Sequence, residues 1–242
     1  MSKNKDESIG LKLDDNEFIR NWGNRLQHAS LVARDACLIG HCFGKRVLHL
    51  GCTDSPFTQG KLENGASLHL KLEPASAEIV GVDIDEIGLT MLGKFCQKSK
   101  LLCFDVESPS FVNELSATHR EFDLVVCADI IEHLNNPGAM LSNLSRIMKP
   151  NSKLIVTTIN ALAAKLFLRA LCGREAVHPD HVSYYSFATL KHLCGRFEFA
   201  VENEFQTFLY PFKSRLLTAI QPPFYSMFPN VADGIIVTAV KL

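Results

Sequence analysis

Three polar positions in this chain each close a short apolar run, and their types suit the recognition of a nucleoside. Arg46-Val47-Leu48-His49-Leu50 leads into Gly51-Cys52-Thr53-Asp54-Ser55-Pro56. A ligand can approach the backbone of such a small-residue turn closely, and amides at a helix start can bind polar groups. Glu78-Ile79-Val80-Gly81-Val82 ends in Asp83, an acid able to accept hydrogen bonds from both hydroxyls of a ribose. Leu101-Leu102-Cys103-Phe104 ends in Asp105, which can reach an adenine amino group. A second set of groups can hold or move protons. Asp129, Glu132 and His133 follow a fourth apolar run, and His178 and His181 lie further on in His178-Pro179-Asp180-His181-Val182-Ser183-Tyr184-Tyr185-Ser186.

These groups need strands to carry them. Further runs are Phe122–Cys127, Lys153–Thr158, Phe197–Val201 and Gly234–Val240, and the runs lack strict alternation. Such segments suit strands buried on both faces, as in a parallel sheet. Amphipathic stretches between them, including Glu86–Lys98 and Gly138–Met148, are long enough for crossover helices. The expectation is an α/β domain with a doubly wound, seven-stranded, mostly parallel sheet. In such sheets ligands bind beyond the carboxyl ends of the strands, where strand order reverses.

Two regions fall outside the alternation. Residues 14–39 read as one or two helices before the first strand, with Phe18, Ile19, Trp22, Leu26, Leu31 and Val32 as an apolar stripe. Residues 205–230 hold Pro211, Pro222, Pro223 and Pro229 with Phe208, Tyr210, Phe212, Phe224, Tyr225 and Phe228, which reads as an ordered lid without regular internal structure. The whole chain is expected to be one domain: a helical cap over 1–40, a cofactor-binding core over 41–160, and acceptor-side segments with the lid over 161–242. Phe187–Cys194 reads as a helix capped by Ser186.

Composition narrows the function. The chain has 242 residues, a net charge of −1 and 47% hydrophobic residues, which excludes a disordered chain and gives no reason to expect nucleic-acid binding. Its eight cysteines form no C-x-x-C pair and sit largely in apolar runs, so they read as small buried hydrophobes in a reducing compartment. Met1–Gly10 has no apolar core of a signal peptide, and Ala161–Leu171 is too short to span a bilayer. A soluble cytoplasmic protein is expected. No metal is expected, because His178 and His181 lack a recognisable matching pair.

Here the sequence resembles the class I S-adenosylmethionine-dependent methyltransferases of the small-molecule type. Val47–Cys52 resembles their first motif, Val80–Asp83 the second, Phe122–Leu134 the fourth-strand motif, and Met148–Leu154 the Lys-Pro-Gly-Gly turn. The likeness runs from about Arg46 to Asn160 and more loosely beyond. It implies S-adenosylmethionine as cofactor, contacted by His49, Gly51, Cys52, Thr53, Asp83, Ile84, Asp105, Val106, Ala128 and Asp129. In these roles Gly51 lies near the methionine carboxylate, Asp83 holds the ribose, and Ile84 packs on adenine. Asp105 faces the adenine amino group with Val106 beside it, and Ala128 and Asp129 lie near the methyl donor. Asp129, His133 and His181 are the catalytic candidates, with Glu132 also in reach and the Glu132-His133 pair placed at the start of a helix. His178 and Tyr184 border the acceptor. His49 stands where the family usually has Asp, and Thr53 and Ser55 stand where it has glycines.

The expected activity is methyl transfer to a small-molecule acceptor at oxygen. Glycan and sugar hydroxyls, secondary-metabolite phenols and quinone precursors all stay open, as does the oligomeric state, a homodimer included. The altered first motif keeps open a binding or scaffold protein built on the same fold. A nucleotide-dependent oxidoreductase would require a G-x-G-x-x-G turn, which Gly51–Pro56 lacks.

Overall fold

The computed structural model describes residues 26–118, 121–175, 177–210 and 222–242. In chain order its elements are β1 (Ala29–Leu31), α1 (Arg34–Cys42), β2 (Arg46–Leu50), α2 (Thr58–Glu63), α3 (Leu68–Leu72), β3 (Glu78–Asp83), α4 (Glu86–Gly93), β4 (Lys100–Cys103) and α5 (Phe111–Thr118). They continue with β5 (Leu124–Ala128), α6 (Pro137–Ile147), β6 (Lys153–Ile159), α7 (Ala164–Leu171), α8 (Phe187–Gly195), β7 (Phe199–Val201), β8 (Phe205–Phe208) and β9 (Gly234–Lys241). Strand alternation divides the core into two layers. Leu48, Leu50, Val80, Val82, Val125, Cys127, Leu154 and Val156 pack with α5, α6 and α8 on one face. Val47, Ile79, Leu124, Val126 and Ile155 pack with α1 and α3 on the other. Each such side chain contributes roughly 1.5–3 kcal/mol when fully buried, which is why these runs direct apolar residues to both faces of the sheet.

The sheet order is β1-β8-β9-β6-β5-β2-β3-β4, with β7 beside β9. Strands β2 to β6 pair in parallel. β9 runs antiparallel to β6 along its length, while β8 and β7 share its other edge. Strand order reverses at β2, which lies between β3 and β5, so the crevice forms beyond Leu50. The seven expected strands are all present, and β1 and β8 add to them.

Several expectations change. Residues 14–39 were expected to be helical, but Ala29–Leu31 is a strand paired with β8, and a helix begins only at Arg34. Residues 1–25, and with them Phe18, Ile19 and Trp22, lie outside the described residues. The segment over 205–230 is more regular than its prolines suggest: it contains β8, a helical stretch over 222–227 and a 3-10 turn at Pro229–Val231. Proline is compatible with the first turn of a helix, where its missing N–H has no partner to lose. Pro211 lies outside the described residues. α7 has no buried residue, with Phe167, Leu168 and Leu171 exposed, so it does not close over a core. No helix among the described residues is long and apolar enough to cross a membrane.

Candidate active site

At the end of β2 the chain turns through Gly51 and Asp54, both with positive φ, of 69° and 66°. The left-handed positions therefore fall on a glycine and an aspartate that tolerates them. Thr53 and Ser55 need no glycine freedom. Instead Thr53 ties the turn to β3: its backbone N–H and its hydroxyl donate to Asp83 Oδ2 at 3.0 and 2.9 Å. Asp83 Oδ1 accepts the Asp85 N–H at 3.1 Å, and Asp85 caps α4 through Gly88. One side chain thus orders both loops that a nucleoside would lie across.

Beyond β3 and β4, Ile84 is 73% exposed and offers a flat apolar face. Asp105 is exposed and accepts the Glu107 N–H at 2.8 Å, an Asx turn that fixes the loop, while Val106 is buried in the core. Cys52 is also buried, with its side chain packed between α2 and α4, so a contact with a cofactor would be made by its backbone. Asp83, Ile84 and Asp105 therefore lie along the neighbouring strand ends and do not line the central cavity.

That cavity, of about 370 Å³, lies over β2 and β5 and gathers His49, Gly51, Ala128, Asp129, Glu132, His133, His178 and His181. Arg34, Asp54 and Tyr210 also line it, and local sequence does not signal them. Gly51 has to be small here, since a Cβ would come within 3.3 Å of the Ile130 side chain. His49 is 1% exposed, and its Nε2 has no hydrogen-bond partner among the described residues. Burial, together with nearby His69 and Arg34, lowers its pKa far below the ordinary histidine value, so the ring is neutral.

Asp129 follows β5 with φ at 51°. Its Oδ1 accepts the Thr157 hydroxyl at 2.7 Å, and its Oδ2 accepts Arg34 at 2.5 Å and the Tyr210 hydroxyl at 3.1 Å. A carboxylate engaged this way anchors the pocket wall, its oxygens shared among Thr157, Arg34 and Tyr210. Glu132 is different. It is 1% exposed, its Oε2 meets no partner among the described residues, and burial followed by the charge of Asp129 raises its pKa to about 7. Glu132 and His133 lie in a turn, not at a helix start: α6 begins at Pro137, capped by Asn136, which accepts the Ala139 N–H.

The Glu132 carbonyl accepts the Val182 N–H at 2.9 Å and so holds the distant loop carrying His178 and His181 against the pocket. The His133 and His181 rings lie 4.5 Å apart and those of His178 and His181 4.9 Å, centre to centre. Burial and its two histidine neighbours lower the His181 pKa, which keeps it a neutral base. One ring nitrogen from each of His133, His178 and His181 lies within 4.8 Å of the others, a set that could hold a metal ion. Sequence spacing suggested only the His178–His181 pair, and the fold supplies His133 as the third. Tyr184 instead lines a separate cavity with α7, of about 490 Å³, although its ring lies 6.3 Å from that of His181.

The strand-end turn, the unsatisfied buried nitrogen of His49 and the close backbone at Gly51 fit the methionine end of S-adenosylmethionine. Asp83 and Ile84 fit its nucleoside.

Comparison with known proteins agrees. Residues 27–204 match a family model described as a methyltransferase domain. A ubiquinone biosynthesis O-methyltransferase of Actinobacillus pleuropneumoniae is 28% identical over 139 residues, 56% of this chain and 54% of that protein. The enzyme of the same name from Aromatoleum aromaticum is 29% identical over 137 residues, 55% of this chain and 52% of its own length. The chain thus spans about half the length of these curated relatives. Among solved structures, a magnesium protoporphyrin IX methyltransferase from Synechocystis with bound SAH superposes with a TM-score of 0.55 at 17% identity, covering 86% of this chain and 80% of that one. An N-methyltransferase from Bradyrhizobium japonicum in complex with S-adenosyl-L-homocysteine gives 0.52 at 15% identity, covering 86% and 85%. At such identities the structures speak for the fold. The matched span takes in every residue lining the central cavity except Tyr210, and the chain accordingly belongs to the methyltransferase-domain family.

Proposed function

We propose that the protein methylates a hydroxyl oxygen of a small-molecule acceptor, and that a phenolic hydroxyl suits the site better than a sugar hydroxyl. The observation that carries this reading is the base set on the acceptor side of the cavity. Glu132, with a pKa of about 7, lines the cavity with His133, His178 and His181, and burial lowers the His181 pKa. S-adenosylmethionine, when bound, supplies a sulfonium-activated methyl group that transfers to an aligned nucleophile. Glu132 or His181 takes the acceptor proton, and His181 can pass it on through the histidine cluster. Such bases suit an acceptor with a pKa near that of tyrosine, about 10. Sugar hydroxyls are far weaker acids. Glycan, sugar and secondary-metabolite acceptors are the other members of the same class. The names of the curated relatives also favour an oxygen on a ring, as a quinone precursor would present. A panel of dihydroxybenzoates and simple sugars, assayed by S-adenosylhomocysteine release, tests this. Turnover confined to sugars would overturn the phenolic reading.

The three-histidine set favours a second reading, in which a divalent ion lowers the acceptor pKa in place of a base. Metal–nitrogen distances of about 2.0–2.1 Å would require the cluster to tighten. Dialysis against chelator discriminates: unchanged turnover leaves the base reading, and loss restored by zinc or magnesium selects the metal. We place the activity in the cytoplasm. Supporting this, all eight cysteines are free thiols and Cys42, Cys52, Cys127 and Cys194 are buried.

A further inference from the structure

His49 reaches the far side of the sheet, where α3 packs. Its Nδ1 lies 3.0 Å from Nδ1 of His69, and His69 Nε2 lies 3.0 Å from the Ser99 hydroxyl. The Ser99 hydroxyl lies 2.5 Å from Glu73 Oε1, which also accepts the backbone N–H groups of Gln97, Lys98 and Ser99 at 3.1, 2.9 and 2.8 Å. Glu73 is buried, which pushes its carboxyl up, but the bonds from Ser99 and these amides hold it below the usual range. Room for the chain exists because β3 carries Gly81 opposite His49: a Cβ there would come within 2.8 Å of the His69 ring.

The direction of every bond in this series is fixed from one end. An ionised carboxylate only accepts, so the single Ser99 proton points to Glu73. Ser99 can then only accept from His69, which places the His69 proton on Nε2 and leaves Nδ1 bare. Nδ1 of His69 accepts from Nδ1–H of His49. His49 therefore carries no proton on Nε2, the atom left buried beside the cavity with no partner among the described residues. We infer that Glu73, Ser99 and His69 are positioning residues that hold His49 as a hydrogen-bond acceptor for the ammonium group of the cofactor's methionine moiety. A neutral imidazole thereby performs the acceptor part of what a carboxylate would do at this position. The inference rests on the assignment of S-adenosylmethionine to this cavity.

Glu73→Gln tests it. A neutral glutamine, unlike an ionised carboxylate, can turn its NH2 to the place of Oε1 and donate to Ser99; this gives up the oxygen that the amides share there but frees the series to reverse and to protonate His49 Nε2. Two readouts are needed: histidine ring nitrogen shifts by NMR, and calorimetric binding of S-adenosylhomocysteine and adenosine. Wild type should show His49 with its proton on Nδ1. E73Q should bind S-adenosylhomocysteine about tenfold or more weakly, the scale of one charged hydrogen bond, with adenosine binding unchanged. In a His49→Asp background, where the acceptor no longer depends on a tautomer, the E73Q loss should vanish. A wild-type Nε2–H on His49, or equal losses for both ligands, would overturn the inference. Failure of wild type to bind either ligand would instead remove the cofactor assignment, and the NMR result alone would then decide the proton order.

Discussion

Two acids, three residues apart, behave oppositely in this pocket. Asp129 is spent on Arg34, Thr157 and Tyr210, whereas Glu132 is buried with an open oxygen and a pKa of about 7. Where Glu132 rather than His181 serves as the proposed base, its ionised form is the active one, so turnover should rise as pH passes through about 7, and the Glu132→Gln variant should lose that limb. The same shift affects stability with a definite sign. A carboxyl whose folded pKa lies above its unfolded value of about 4.3 favours the fold while protonated, and that advantage is lost as pH rises through 7. E132Q should therefore be more stable than wild type at pH 8 by up to about 3 kcal/mol, with little difference at pH 4. Paired melting curves at the two pH values check this; equal differences would mean that Glu132 titrates normally. Asp83 makes a separate prediction. Asp83→Ala should weaken S-adenosylmethionine binding by roughly 1.5–3 kcal/mol, and because Thr53 loses its acceptor, the β2 turn should loosen as well. Wild-type affinity in that variant, by calorimetry, would move the ribose elsewhere.

At the scale of elements, the sequence made legible those that are continuous in it. The runs of β2, β3, β5, β6 and β9 are buried at nearly every position and direct apolar residues to both faces. The cap of α8 was also readable: Ser186 accepts the Thr189 N–H, and Thr189 returns the bond to the Ser186 N–H. Ser186→Ala should cost about 1 kcal/mol, a fall of some 2–4 °C in melting temperature for a chain this size, without altering cofactor affinity. β1 and β8 were not legible, since three or four residues carry no periodicity of their own and β1 exists only by pairing with a strand far along the chain. The candidate site divides the same way. Strand-end residues such as Gly51, Asp83 and Ala128 were visible from the runs before them. Arg34, His69, Glu73 and Tyr210 were not, because each meets its partner across many residues of chain and belongs to no motif.

For the molecule as a whole, the C-terminal segments complete a pocket that the strand-end motifs begin. Asp233, 1% exposed and immediately before β9, accepts the Tyr210 N–H at 2.9 Å and pairs with Lys165 of α7 at 3.0 Å. Lys165 also lies 5.1 Å from the centre of the Tyr210 ring. Tyr210 then reaches Asp129, which holds Arg34 from α1. One buried carboxylate thus couples β9, α7 and the β8 exit to the pocket wall over β5. Removing it leaves the partly exposed Lys165 without its counter-charge and the Tyr210 N–H without its acceptor, a loss of about 1–3 kcal/mol. Asp233→Ala should accordingly melt well below wild type. It should also change the acceptor side more than the nucleoside side, because Tyr210 touches Asp129 and not Asp83. Ligand at about a hundred times its dissociation constant stabilises by roughly 2.7 kcal/mol, or some 5–10 °C here. That increment from S-adenosylhomocysteine should persist in the Asp233→Ala variant, while its turnover with any acceptor falls. An increment lost together with turnover would mean that the C-terminal segments order the entire crevice, and that the nucleoside end depends on them as much as the acceptor end does.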